Sequence, residues 1–189
     1  MCVPRPREID NTRPVYTRVI MGDSMLRDFQ PLLGATLVVA RGATVSNLYQ
    51  RVQEELPERT SIDAVVVMVG TNDVSNGVGL KKFEEDTATL ARKLKALNGR
   101  CWIFFISIVP RPCDRRQVVE GYNRIIKKLS YQNRISVINA HRRFSDTKGN
   151  PLSRLFKDGV HVNERGAALL RDMTASFVND RSLAALLKC

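Results

Sequence analysis

No apolar run in this 189-residue chain approaches the roughly 20 residues that a membrane-spanning helix needs. The opening stretch, Met1-Cys2-Val3-Pro4-Arg5-Pro6-Arg7, lacks the apolar centre of a secretory signal. Cysteine is sparse: Cys2, Cys101, Cys113 and Cys189 form no CxxC pair, and two of them lie at or beside the chain ends. That spacing excludes a zinc ribbon or a disulfide framework and points to a reducing compartment. These absences set the expectation of a soluble, intracellular protein. Histidine is scarcer still. His141 and His161 with scattered thiols make no zinc site, so no metal and no cofactor is expected. Internal repeats and low-complexity segments are absent. Asn76-Gly77-Val78-Gly79 reads as a turn rather than a phosphate cradle, because it does not follow a strand directly and lacks the required spacing.

What is present is ordinary in amount and uneven in placement. Hydrophobic residues make up 43% and charged residues 26%, enough for one domain with a continuous core. The net charge is +11, and ten Lys/Arg between Arg100 and Arg143 face only Asp114 and Glu120, a local balance of +8. Such clustering suits phosphate-rich partners, nucleic acid included, without specifying one. Arg124, Lys127 and Lys128 read as a solvated helix face. Arg111, Arg115 and Arg116, in a proline-broken loop after a strand, read as a basic ligand rim.

The apolar pattern predicts alternating strands and helices. Residues 1–14 hold three prolines and no apolar period, so they read as an extended arm preceding one domain over 15–189. Strands are expected at 15–21, 36–40, 63–69, 102–109 and 136–139. Helices are expected at 25–33, 45–56 and 81–97, then one carrying Val118, Tyr122, Ile125, Ile126 and Leu129. A last helix opens near Asn163 with Leu170, Met173 and Phe177 on its buried side. The strand around Val65-Val66-Val67 is apolar on both faces, as a central parallel strand is. The alternation predicts an α/β/α sandwich around a five-stranded parallel sheet.

Three short blocks carry the chemistry: Gly22-Asp23-Ser24, Gly70-Thr71-Asn72-Asp73 and Asp158-Gly159-Val160-His161. The first offers a nucleophile, the second an uncharged amide donor, the third a base with a carboxylate to orient it. Ser24, Gly42 and Asn72 each fall just past a predicted strand, on the edge where open parallel sheets bind ligands. Ser24 alone would be an ordinary helix N-cap, Gly42 a turn glycine and Asn72 a turn asparagine; their shared placement is what distinguishes them. His161 is singled out by supply, because an ester-cleaving serine needs an imidazole and the chain has two. His141, flanked by like charge and without an acid nearby in sequence, reads as a surface residue. Asp23 and Asp73 are expected to tie loop amides in place.

The order Gly-Asp-Ser, Gly, Gly-x-Asn-Asp, Asp-x-x-His, spread from Val15 to Phe177, resembles the SGNH (GDSL-type) hydrolases. The resemblance implies a flavodoxin-like sheet and an esterase acting on acetyl or short-acyl esters. It also implies Ser24, Asp158 and His161 as the catalytic triad, with Ser24, Gly42 and Asn72 as the oxyanion hole. Arg41-Gly42-Ala43-Thr44, Ile108-Val109-Pro110-Arg111 and the block from Phe156 to Asn163 look like the esterase domains of some LINE-type retrotransposon proteins. Those domains work near nucleic acid or membranes. Two rival readings stand beside this one. In the first, the fold is a module binding RNA through its basic 100–143 face; in the second, Asp23, Asp73, Asp158 and His161 serve a metal-dependent phosphoesterase.

Overall fold

The structure, a computed structural model, describes residues 17–56, 62–114, 116–132 and 134–186. The arm expected at 1–14 lies outside them. Five strands form the sheet: β1 (Thr17–Gly22), β2 (Ala35–Val39), β3 (Ile62–Met68), β4 (Trp102–Ile106) and β5 (Ile135–Ile138). All neighbours run parallel, in the order β2-β1-β3-β4-β5. The helices are α1 (Leu48–Val52), α2 (Thr71–Ser75), α3 (Leu80–Lys95), α4 (Arg116–Lys128), α5 (Ala140–Arg143) and α6 (Glu164–Leu186).

Strand side chains alternate between two cores, as the pleat requires. Val19, Met21, Val65, Val67, Ile103 and Phe105 face α1, α3 and α4, meeting Leu48, Phe83, Leu90 and Tyr122. Ile20, Val66, Met68, Phe104 and Ile106 face the opposite side, against Met25 and Leu26, Phe144 and the α6 residues Leu170 and Val178. With both faces covered, the central strands have no place for polar residues, hence the unbroken valines of β3. Phe83 is fully buried and packs edge-on to Tyr122, with ring centroids 4.7 Å apart. Each such side chain contributes about 1.5–3 kcal/mol through burial.

Several expected elements are displaced for local reasons. The helix expected at 25–33 is a single 3₁₀ turn, Ser24–Leu26. Pro31 lacks an amide hydrogen and disfavours helical backbone before it, although Phe29 and Leu32 still reach the core. The helix expected at 45–56 begins only at Leu48, because Asn47 Oδ1 accepts the Thr44 amide at 3.0 Å and turns the chain there. Strand β4 stops at Ile106; beyond it the Asn123 side chain takes the Ile108 amide and carbonyl, both at 2.8 Å, in place of a strand partner. On α4 the buried valine is Val119 and Val118 is exposed. On α6 the buried set is Leu170, Thr174 and Val178 rather than one ending in Phe177, which is 37% exposed. Thr174 is tolerated inside because its hydroxyl donates to the Leu170 carbonyl at 2.7 Å.

The chain leaves β1 toward β2 on one side and β3 lies on the other, so strand order reverses at the carboxyl end of β1. A crevice opens at such a point. Gly22 closes β1 where a Cβ would sit 2.1 Å from the Met68 carbonyl oxygen, so only glycine lets the strands approach this closely. The next amide, of Asp23, donates to that same oxygen at 3.1 Å and directs Ser24 over the crevice.

Candidate active site

Asp23, in extended backbone, caps the 3₁₀ turn: its Oδ1 accepts the Met25 amide at 2.9 Å. The capping role open to Ser24 is therefore already filled. The Ser24 hydroxyl instead faces His161, with Oγ and Nε2 3.2 Å apart across 137 residues of sequence.

His161 and Asp158 sit on a tight loop closed by the antiparallel bridge between Phe156 and Val162. The Lys157 amide donates to the His161 carbonyl and the Asn163 amide to the Leu155 carbonyl, both at 2.9 Å. The Asn163 side chain donates to Arg154 and Phe156 carbonyls and accepts the Gly166 amide at 3.1 Å, which anchors the loop to the start of α6. Asp158 is held from within the loop. Its Oδ1 accepts the His161 amide at 2.6 Å and the Val160 amide at 3.0 Å, while Oδ2 lies 2.8 Å from His161 Nδ1. The His161 amide first, then its ring and the Val160 amide, hold this carboxyl well below the usual range. An ionised carboxylate only accepts, so Nδ1 carries the ring proton of neutral His161. Nε2 is then left with a lone pair directed at the Ser24 hydroxyl.

Gly42 and Asn72 follow β2 and β3, the two neighbours of β1. Gly42 has φ +72°, a conformation that side chains resist, and space around it is open. One Asn72 Nδ2 hydrogen goes to the Ala43 carbonyl at 2.8 Å, and the other has no partner among the described residues. Asp73 Oδ2 accepts the Val45 amide at 3.0 Å. Asn72 and Asp73 thus pin the loop that carries Gly42.

Asp23 and Asp73 act on loop amides, as expected, and both are buried with one oxygen unpartnered: Asp23 Oδ2 and Asp73 Oδ1. Burial raises both carboxyls. Asp23 goes from 3.8 to about 7, with the Asp73 charge adding to burial and the Met25 amide and Arg111 opposing it. The folded state thus keeps a proton that the unfolded chain releases, and stability falls as pH rises from about 4 to about 7. The interval corresponds to an order of 4 kcal/mol. Asp23→Asn, which cannot ionise, is expected to flatten the fall in urea midpoint between pH 5 and pH 8. An unchanged slope would place the titration elsewhere.

Of the expected basic rim, the two described arginines are already engaged within the fold. Arg111 is 5% exposed, clamped to both Asp114 oxygens at 2.6 Å and to Ser75 Oγ at 2.9 Å. Arg116 is exposed but binds Glu120 and the Lys148 carbonyl, each at 2.7 Å. Arg115 lies outside the described residues. His141 is half-buried rather than on the surface: its Nε2 is covered and unpartnered, and burial pushes its pKa down while Glu120 and Arg116 act on it in opposite senses. Proximity of Glu120, 21 positions away, carries no sequence signal. Nor does the ion pair of Lys157 with Asp28 at 2.5 Å, which joins the His161 loop to the segment after Ser24.

A family model described as the GDSL-like lipase/acylhydrolase family matches residues 20–169. No curated protein is significantly similar to the chain. Among solved structures, a GDSL-like lipase from Bacteroides thetaiotaomicron is 21% identical with a TM-score of 0.73, over 88% of this chain and 89% of that one. A lipase/acylhydrolase from Enterococcus faecalis is 16% identical with a TM-score of 0.69, over 88% and 96%. An acetylxylan esterase from Geobacillus stearothermophilus is 18% identical with a TM-score of 0.64, over 85% and 93%. At these identities the structures speak for the fold.

Proposed function

Because the chain belongs to the GDSL-like lipase/acylhydrolase family and is thereby a carboxylic ester hydrolase, we propose that it works through an acyl-enzyme on Ser24, with acetyl and short-acyl esters as substrates. One observation carries this reading: the unbroken line from Ser24 Oγ to His161 Nε2 at 3.2 Å and from His161 Nδ1 to Asp158 Oδ2 at 2.8 Å.

In the first step Ser24 Oγ attacks the acyl carbon as His161 Nε2 takes its proton, and Asp158 stabilises the imidazolium. The carbonyl oxygen becomes an oxyanion, which the Ser24 and Gly42 amides and the free Asn72 N–H receive. His161 then gives its proton to the departing alcohol. Water, deprotonated by His161, then attacks the acyl-serine; the acyl–Oγ bond breaks, the acid leaves and His161 returns the proton to Ser24 Oγ. The acetyl end of the substrate range has support from the acetylxylan esterase among the structural neighbours.

A serine-directed fluorophosphonate is expected to stop hydrolysis and to leave one adduct, mapped by mass spectrometry to Ser24. Across p-nitrophenyl esters of two to twelve carbons, kcat/KM should be highest at two to four. An adduct elsewhere with turnover retained would overturn the reading. Activity lost to chelator but indifferent to fluorophosphonate would favour the metal-dependent phosphoesterase, although Asp23 and Asp73 are buried and directed at loop amides.

A further inference from the structure

Of the three groups proposed to receive the oxyanion, two are backbone amides and the third is a side chain, Asn72, carried by α2. That helix spans only Thr71–Ser75, and its N-cap, Gly70, makes no side-chain capping bond. So short a helix has little stability of its own and depends on what surrounds it. The Gly42 loop meets α2 through Asn72 and Asp73. From the β4 side, a second loop meets α2 at both ends. At the start of α2, Gly70 has φ +120°, and a Cβ there would stand 2.7 Å from Ile108 Cδ1. The backbone of Ile108 is itself held by the Asn123 side chain of α4, at 2.8 Å for both its amide and its carbonyl. At the end of α2, Arg111 Nη2 donates to Ser75 Oγ at 2.9 Å, and Ser75 donates on to the Thr71 carbonyl at 3.1 Å.

Arg111 is buried, and its Nε and Nη2 both donate to the Asp114 carboxylate at 2.6 Å. An apolar side chain of similar volume often stabilises an interior as well as a buried ion pair does. What it lacks is direction. The guanidinium is planar and rigid, so the two bonds to Asp114 also aim the remaining Nη2 hydrogen at Ser75. A lysine ammonium on a flexible stem has no such fork. The charge of Arg111 opposes the rise of the Asp23 carboxyl, so it also acts on the turn that carries Ser24. Arg111 thus stands behind the site, joined to α2 by contact and to Asp23 by charge.

We propose that Arg111 is a positioning residue for ester hydrolysis: anchored on Asp114, it holds α2 through Ser75 and keeps the free Asn72 N–H where the oxyanion forms. It touches no reacting atom. The inference rests on the oxyanion role given to Asn72. Such a donor acts at about 2.7–3.1 Å from the oxyanion, and a displacement of about 1 Å can cost on the order of 10²-fold. The oxyanion forms only as the carbonyl is attacked, so a loosened α2 lowers kcat and leaves KM nearly unchanged.

The test is a double-mutant cycle on p-nitrophenyl acetate. Arg111→Lys keeps the charge and loses the fork; it should lower kcat about 10- to 30-fold with KM within about twofold. Ser75→Ala leaves the ion pair of Arg111 and Asp114 in place, so it reports even if the lysine variant does not fold. It should lower kcat about 3- to 10-fold. Asn72→Ala alone should lower kcat about 10²–10³-fold. In that background either change should cost less than about twofold more, because both act through Asn72. Full, multiplicative losses there, wild-type kcat in Arg111→Lys, or a loss confined to KM would overturn the inference. If Asn72→Ala keeps wild-type kcat, the oxyanion reading fails instead, and the brace is tested without activity. The Val74 and Asn76 amides, which bond to the Gly70 and Asn72 carbonyls at 3.0 and 2.9 Å, should exchange hydrogen at least about tenfold faster in both variants. Unchanged exchange would show that Arg111 does not hold α2.

Discussion

Ser24→Ala is expected to lower kcat for p-nitrophenyl acetate by about 10⁵–10⁶-fold, while the urea midpoint moves little. The two halves of that result follow from different contacts. Among the described residues, the Ser24 hydroxyl hydrogen-bonds only His161, at 3.2 Å. The capping bond that orders the 3₁₀ turn belongs to Asp23 and the Met25 amide. Alanine keeps the backbone amide that would face the oxyanion and the packing of Met25 and Leu26 beneath it. Chemistry loses the attacking atom; the fold loses one half-buried hydroxyl, on the order of 1 kcal/mol. Residual turnover about 10³–10⁴ above water should persist if the proposed oxyanion donors act, because Ser24→Ala leaves them in place. Near-wild-type turnover would remove Ser24 from the mechanism. A large loss of stability would instead make the serine a structural residue whose activity effect is indirect.

The positions of the three motif blocks were legible because each depends on local grammar. A buried parallel strand reads as an apolar run, glycine ends it, and the polar residue after it falls on the ligand-binding edge. Ser24, Gly42 and Asn72 could thus be assigned to one rim without knowing which strands are neighbours. The order β2-β1-β3 then brings their strands side by side. What the residues did not disclose depends on contacts distant in sequence. Val118 and Val119 are equally apolar, and only the rotation of α4 against the sheet buries the second. Thr174 displaces a Phe177-centred face because a backbone carbonyl satisfies its hydroxyl, which hydropathy does not count. Arg111 looked like a free cation in a loop, yet Asp114 three residues on folds back to clamp it from below. Charge counting located the basic surplus at 100–143. Folding gathers Arg27, Arg154 and Arg165, far apart in the chain, around one cleft that a charge count does not reveal.

Asp158→Asn probes the orienting carboxylate more sharply than deletion does. Asparagine still offers an oxygen to the His161 and Val160 amides, which Asp158 Oδ1 accepts at 2.6 and 3.0 Å, so the loop keeps its shape. The atom facing His161 Nδ1 changes from an acceptor to an N–H donor. The imidazole then places its lone pair on Nδ1 and its proton on Nε2, pointing a hydrogen at Ser24 where a base is needed. The expected loss is about 10³–10⁴ in kcat, with a shift in Tm under about 3 °C. Asp158→Ala should lose similar activity and more stability, because both amides then lose their acceptor. The carboxyl is held well below its ordinary range, so the wild type should keep its orienting charge through mildly acidic pH. If Asp158→Asn keeps more than about a tenth of wild-type kcat, the tautomer is fixed by something else. The 2.8 Å contact would then be a loop fastening, and Ser24 and His161 would form a dyad.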